Sequence, residues 1–173
     1  MHMVLTKCCD ATPLFNNLTH LTIESNRKVG WESLPSLLKN SPNLETLVLH
    51  GLVHKATNRC GDVCLCRPYK EEEEIPTCLS SSPVKVLKIM KFGVEIEKQI
   101  EQVKHFLETM PNLEQLILYY DTSFEEYVIE VSSQLQRLPK VASSKCNLQL
   151  ISDQLSLSST IPSSVSMKWT SLP

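Results

Sequence analysis

The sequence predicts an α/β fold built by repetition, in which short strands alternate with helices. Two segments carry that prediction: LKNSPNLETLVL at 38–49 and LETMPNLEQLIL at 107–118, set 69 positions apart. Pro42-Asn43-Leu44-Glu45 and Pro111-Asn112-Leu113-Glu114 are identical, and each runs into a Leu-x-x-Leu-x-Leu strand pattern. A helix end, turn and strand that recur as a unit mark a short leucine-rich-repeat-like solenoid, with parallel strands on one face and helices on the other.

Taken in order, the strand pattern occurs four times. Leu18-x-x-Leu21-x-Ile23 and Leu44-x-x-Leu47-x-Leu49 are the first two copies, Val84-x-x-Leu87-x-Ile89 and Leu113-x-x-Leu116-x-Leu118 the last two. The offsets are 26, 40 and 29 residues; the long one reads as a repeat with an insertion of roughly 14 residues in its connection. Between strands, Trp31, Leu34, Leu37 and Leu38 share one helix face. Ile96, Ile100, Val103, Phe106, Leu107 and Met110 do the same over a longer stretch. Pro42 and Pro111 follow these helices, where a fixed φ and a missing N–H end a helix at little cost. Phe124, Tyr127, Val128, Val131, Leu135 and Leu138 predict a third helix ending before Pro139. Asn147 to Ile151 predicts a last strand, and the Ser- and Thr-rich stretch 153–173 a flexible tail.

The bulk properties narrow the function. A formal charge of −2 gives no basis for nucleic acid or an anionic membrane as partner, and no apolar run approaches the roughly 20 residues of a membrane span. The first residues, MHMVLTKCCD, do not read as a secretory signal. Seven cysteines, an odd number, then point to reduced thiols in an intracellular setting, cytoplasmic or nuclear.

Strand alternation supplies the candidate binding surface. With the leucines inward, the outward positions are His20, Thr22 and Glu24; Thr46, Val48 and His50; Val86, Lys88 and Met90; and Gln115, Ile117 and Tyr119. Stacked strands align these as columns, one of them holding Glu24, His50, Met90 and Tyr119. A mixed apolar and polar surface with Tyr and Met suits a protein partner.

Other constellations are weaker. His50, His54, Cys60, Cys64, Cys66 and Cys78 lie close together in the chain, but Cys-x-x-x-Cys-x-Cys lacks the paired Cys-x-x-Cys knuckles of common zinc modules. The expectation is a reduced, partly buried loop without metal or cofactor, a zinc-binding module on Cys60, Cys64 and Cys66 being the alternative. Glu71 to Glu74 reads as a solvated acidic run, with no set spacing for acid–base work. His20, His50, His54 and His105 have no evident Ser or Cys partner, and no Gly-rich turn precedes a helix, so the reading is non-enzymatic.

CLSSSPVKVLKI (78–89), VKHFLETMPNLEQLIL (103–118) and LPKVASSKCNLQLIS (138–152) resemble the FBD domain of plant F-box/FBD/LRR-repeat proteins. SLPSLLKNSPNLETLVLHGLVH (33–54) and the RCGDVCLC loop (59–66) resemble the leucine-rich segment that precedes that domain. The resemblance implies a leucine-rich region at 15–77, with the Cys-rich and acidic insertion at about 54–77, and an FBD domain at 78–152 that continues the same sheet. In that family an F-box docks on a Skp-type adaptor of a cullin ubiquitin ligase, and the leucine-rich region is thought to select the substrate. No F-box pattern is visible in these residues. The resemblance therefore implies a non-enzymatic protein-binding module related to substrate-recognition regions, with ubiquitin-ligase components as further partners. It carries no catalytic residues over.

Overall fold

The structure, a computed structural model, describes residues 2–4, 13–66, 78–138 and 146–153, with backbone alone at 2–4, 122, 124 and 125. Six strands form one parallel sheet in strict chain order: β1 (His2–Val4), β2 (His20–Glu24), β3 (Thr46–His50), β4 (Val86–Phe92), β5 (Gln115–Tyr120) and β6 (Asn147–Ser152). Helix α1 (Leu34–Lys39) joins β2 to β3, and α2 (Ile96–Thr109) joins β4 to β5. A 3-10 segment (Thr122–Tyr127) and α3 (Val128–Gln136) join β5 to β6. The predicted third helix is thus tightened over its first turn. The short edge strand β1 was not among the sequence expectations, and the acidic run Glu71–Glu74 and the tail beyond Asp153 lie outside the described residues. No described helix is long and apolar enough to cross a membrane.

The register follows the leucine pattern. Leu21, Leu47, Leu87, Leu116 and Leu148 pair across the sheet, as do Ile23, Leu49, Ile89, Leu118 and Leu150. These rows share one core with Leu34, Leu37 and Leu38 of α1, Ile100, Val103 and Phe106 of α2, and Val128, Val131 and Leu135 of α3. Strands β2 to β6 therefore bury one face in a core shared with the helices and with the loop after β3, the arrangement that period-two alternation demands.

The repeated Asn has a definite task. Asn43 donates its side-chain amide to the Asn16 carbonyl at 2.6 Å, and Asn112 donates to the Ser82 carbonyl at 2.9 Å. In both blocks the residue before the strand leucine reaches back to the carbonyl two residues before the preceding strand's first apolar position. The backbone ladder crosses at the same level, with Glu45 and Thr46 N–H on the Thr19 carbonyl and Glu114 and Gln115 N–H on the Lys85 carbonyl. Copy three carries Pro83 at that position and lacks the amide. Replacing Asn112 with alanine should cost about 1 kcal/mol, the worth of an ordinary net hydrogen bond, read as a lower urea midpoint at unchanged slope.

The connection between β3 and β4 departs from the pattern: it contains no helix among the described residues. The Cys-rich loop stands in its place, with Leu52, Cys60, Val63, Cys64, Cys78 and Leu79 built into the common core.

Candidate functional site

The outward sheet face carries every residue singled out for binding. His20, Thr46, Val86 and Gln115 form its first row, and Thr22, Val48, Lys88 and Ile117 its second. In the third, Glu24 pairs with His50 and His50 with Met90. The continuation from Met90 to Tyr119 is interrupted. Ile89 pairs with Leu118 but Phe92 with Tyr120, so Met90 and Lys91 together oppose the single residue Tyr119. Lys91 takes φ 54°, and this bulge resets the alternation so that Phe92, rather than Lys91, faces the core.

Two of the outward apolar side chains are themselves well covered: Val48 is 7% and Ile117 8% exposed, with the half-buried Lys88 between them in the row. The row is thus a low apolar ridge crossed by a lysine stem, bordered by exposed His20, Glu24 and Gln115. Strand β6 extends all three rows, since Asn147 pairs with Gln115, Gln149 with Ile117 and Ile151 with Tyr119. These three residues were missed as surface candidates although the strand itself was expected; carrying the alternation one strand further would have found them.

At the C-terminal ends of the strands the surface becomes polar. Asp153 lies there within reach of the charges of Asp121, Lys91 and His50, and Tyr119 within reach of that of Asp153. Burial and then the Asp121 carboxylate push the Asp153 carboxyl above the usual carboxylate range, against the pull of Lys91 and His50. Burial, and after it the Asp153 charge, raise the Tyr119 phenol. Asp121 and Asp153 lie just past the ends of β5 and β6, where no strand alternation singles them out.

On the helix side, the loop after β3 brings together residues that sequence spacing left scattered. Among the described residues, His54, Cys60, Cys64 and Cys66 place their nitrogen and sulfur donors within 4.8 Å of one another. His54 Nε2 is 3.2 Å from Cys64 Sγ, and Cys66 Sγ is 3.5 Å from Cys60 Sγ. The expectation that no histidine would meet a cysteine fails here. It failed because a loop path, unlike a helix or strand, has no period to project. His50 and Cys78 of the same sequence cluster lie elsewhere: His50 on the outward face, and Cys78 with its thiol donated to Asp62 at 3.0 Å.

Among the described residues, Asp62, Gln102 and His105 help to hold the loop. Asp62 accepts the Cys78 N–H at 2.8 Å and the Leu79 N–H at 3.0 Å, pinning one end of the connection to the other. Gln102 of α2 donates to the Val63 carbonyl at 2.7 Å and accepts the Leu65 N–H at 3.3 Å, and His105 donates to the Asp62 carbonyl. Burial, and then the Asp62 carboxylate, push the Cys78 thiol up. Within the cluster, the hydrogen bond between Cys64 and Cys60 lowers the Cys60 thiol and raises that of Cys64. At 5% exposure Cys64 is closed to a substrate, so the Cys–His contact is no nucleophile site. A cleft of about 810 Å³ adjoins the cluster, lined by His54, Leu65 and Cys66 from the loop and Gln99 and Gln102 from α2.

No family model matches the chain, and no solved structure matches it. Curated relatives do. An F-box/LRR-repeat protein of Arabidopsis thaliana is 69% identical over 162 residues, covering 91% of this chain and 34% of its own length. A second Arabidopsis F-box/LRR-repeat protein is 60% identical over 169 residues, covering 95% of this chain and 34% of itself. A provisionally named Arabidopsis F-box/FBD/LRR-repeat protein is 58% identical over 159 residues, covering 87% and 30%. The chain spans about a third of the length of these relatives. On sequence identity sustained over most of its own length, the chain is similar to one part of the plant F-box/LRR-repeat and F-box/FBD/LRR-repeat proteins.

Proposed function

We propose that this chain is a non-enzymatic protein-binding module of the kind that selects substrates for F-box ubiquitin-ligase receptors, and that it binds through the outward sheet face. The observation that carries the reading is the set of aligned outward rows, an apolar ridge of Val48 and Ile117 with polar borders on a rigid parallel sheet. Such a surface offers shape and a few anchors, which is what recognition of a folded partner or peptide needs. No chemistry on the partner is invoked.

Alanine at His50, Met90 and Tyr119 together is expected to weaken capture of the partner by at least about 30-fold, the effect of losing one hot spot of about 2 kcal/mol. The check is quantitative affinity capture with the wild-type and triple-variant chains side by side, each shown by circular dichroism to be folded. Equal capture by both would remove this face from consideration. The names of the relatives favour a second reading, in which the protein is a working subunit of a cullin-type ligase. Co-purification of a Skp-type adaptor with the 173-residue chain supports that reading; its repeated absence from this chain counts against recruitment through these residues.

A further inference from the structure

We propose that His54 Nε2 and the sulfurs of Cys60, Cys64 and Cys66 form a tetrahedral zinc site in the loop that follows β3. The inference is independent of the reading of the strand face. Its first support is geometric. Zinc bonds of about 2.3 Å to sulfur and 2.0 Å to nitrogen put the ligand atoms of a tetrahedron roughly 3.5–3.8 Å apart. The His54–Cys64 separation of 3.2 Å and the Cys66–Cys60 separation of 3.5 Å are already near that edge length, and all four atoms fall within 4.8 Å. Moves of about 1 Å or less close the figure, well within loop side-chain freedom.

The second support is the preparation of each ligand. His54 Nδ1 lies 2.8 Å from the Leu52 carbonyl, which only accepts, so Nδ1 carries the proton and Nε2 presents its lone pair to the sulfurs. The ring is held in plane by Trp31, stacked at 3.9 Å between centroids with 11° between planes. Trp31 donates in turn to Ser25 Oγ at 3.0 Å, and Ser25 to the Val53 carbonyl at 2.7 Å, next to His54 itself. On the sulfur side, the Cys66 N–H donates to Cys64 Sγ at 3.2 Å and Thr57 Oγ1 lies 3.7 Å from Cys60 Sγ. Outer contacts of this type orient ligands and stabilise thiolate charge.

Third, the donor set selects the metal class. Three thiolates and one imidazole suit zinc and exclude hard cations such as calcium or magnesium, which take oxygen. Binding displaces the thiol protons to solvent, and no redox step is involved. A disulfide is the competing use of these cysteines, but it would join only two of the three and leave the histidine without a role. The cross-link has a structural purpose. Among the described residues, the stretch from His54 to Cys66 packs beside α2 as a loop, with Val63 N–H on the Cys60 carbonyl as a backbone bond inside it. A bound ion tying residue 54 to residues 60–66 supplies rigidity and holds one wall of the cleft against α2.

The experiment is elemental analysis of the 173-residue chain purified with a reductant and without chelator, followed by cobalt(II) alone added to chain refolded from denaturant. About one zinc per chain is expected, with cobalt giving sulfur-to-metal charge-transfer absorption and the strong visible bands of tetrahedral coordination. Cys66→Ser should lower the charge-transfer intensity by about a third, as one of three thiolates is lost. Cys146→Ser, outside the cluster, should leave the intensity unchanged, and His54→Cys should retain the metal. Zinc content far below one per chain, in protein that circular dichroism shows to be folded, would overturn the proposal. So would weak octahedral cobalt bands without charge transfer, or a Cys60–Cys66 disulfide that persists in the reductant.

Discussion

Replacing Trp31 with alanine is expected to lower the folding free energy by about 4 kcal/mol, a large share of the 5–15 kcal/mol that a domain of this size has. Trp31 is fully buried, with 0% exposure, although it lies before the first turn of α1. Its removal leaves a cavity among Leu34, Leu37 and the loop, and deprives the His54 ring of its stacking surface. It also removes the indole N–H from Ser25, whose hydroxyl ties the end of β2 to Val53. Trp31→Phe keeps an aromatic face but not the donor and should cost about half as much. Equilibrium urea unfolding followed by circular dichroism separates these outcomes. A Trp31→Ala midpoint within about 0.5 kcal/mol of wild type would mean that the side chain does not join loop to core.

The second large effect is expected at Asp62. Its two oxygens accept the backbone N–H groups of Cys78 and Leu79 and the Cys78 thiol. Leu79 is fully buried, so its amide has no water to turn to when the carboxylate is lost. Asp62→Ala should therefore cost about 2–4 kcal/mol, since hydrogen bonds to a charged acceptor are worth more than neutral ones and orphaned donors bear a desolvation penalty. Asp62→Asn is the sharper test. One side-chain atom still accepts, but the new amide group faces a backbone donor, so the variant should recover less than half of the loss. Hydrogen exchange at the Cys78 and Leu79 amides reads the effect directly: protection should fall in both variants while amides in β5 keep theirs. Unchanged protection at both sites in Asp62→Ala would show that the carboxylate does not clasp the ends of the connection.

Much of the architecture was legible because parallel repeats translate local periodicity into global position. Leu-x-x-Leu-x-Leu states which residues face inward, and identical blocks state which residues stack. The four expected strands at Leu18, Leu44, Val84 and Leu113 thus found their register, and the outward rows followed. The bulge at Met90-Lys91 broke one column because it adds a residue without altering composition. It is visible afterwards in the phase of Phe92, which is buried and paired with Tyr120 where strict alternation from Ile89 would turn Lys91 inward. Strand β1 was missed because His2–Val4 is too short for a pattern to register.

The twin Pro-Asn-Leu-Glu blocks also gained meaning that sequence alone did not hold. Their recurrence said that a turn repeats, whereas the side-chain amides of Asn43 and Asn112 reach across to the neighbouring repeat and tie one turn to the next.

By itself, the sequence determined the inward leucine rows, the helix faces and the parallel order of the strands, because side-chain period and chain order dictate these without long-range information. Only the tertiary structure decided how the loop from Gly51 to Cys66 lies against Trp31 and α2, and therefore that His54 meets Cys60, Cys64 and Cys66. A loop has no repeat to extrapolate. Its path is set by partners far away in the chain, Gln102 and His105 among them.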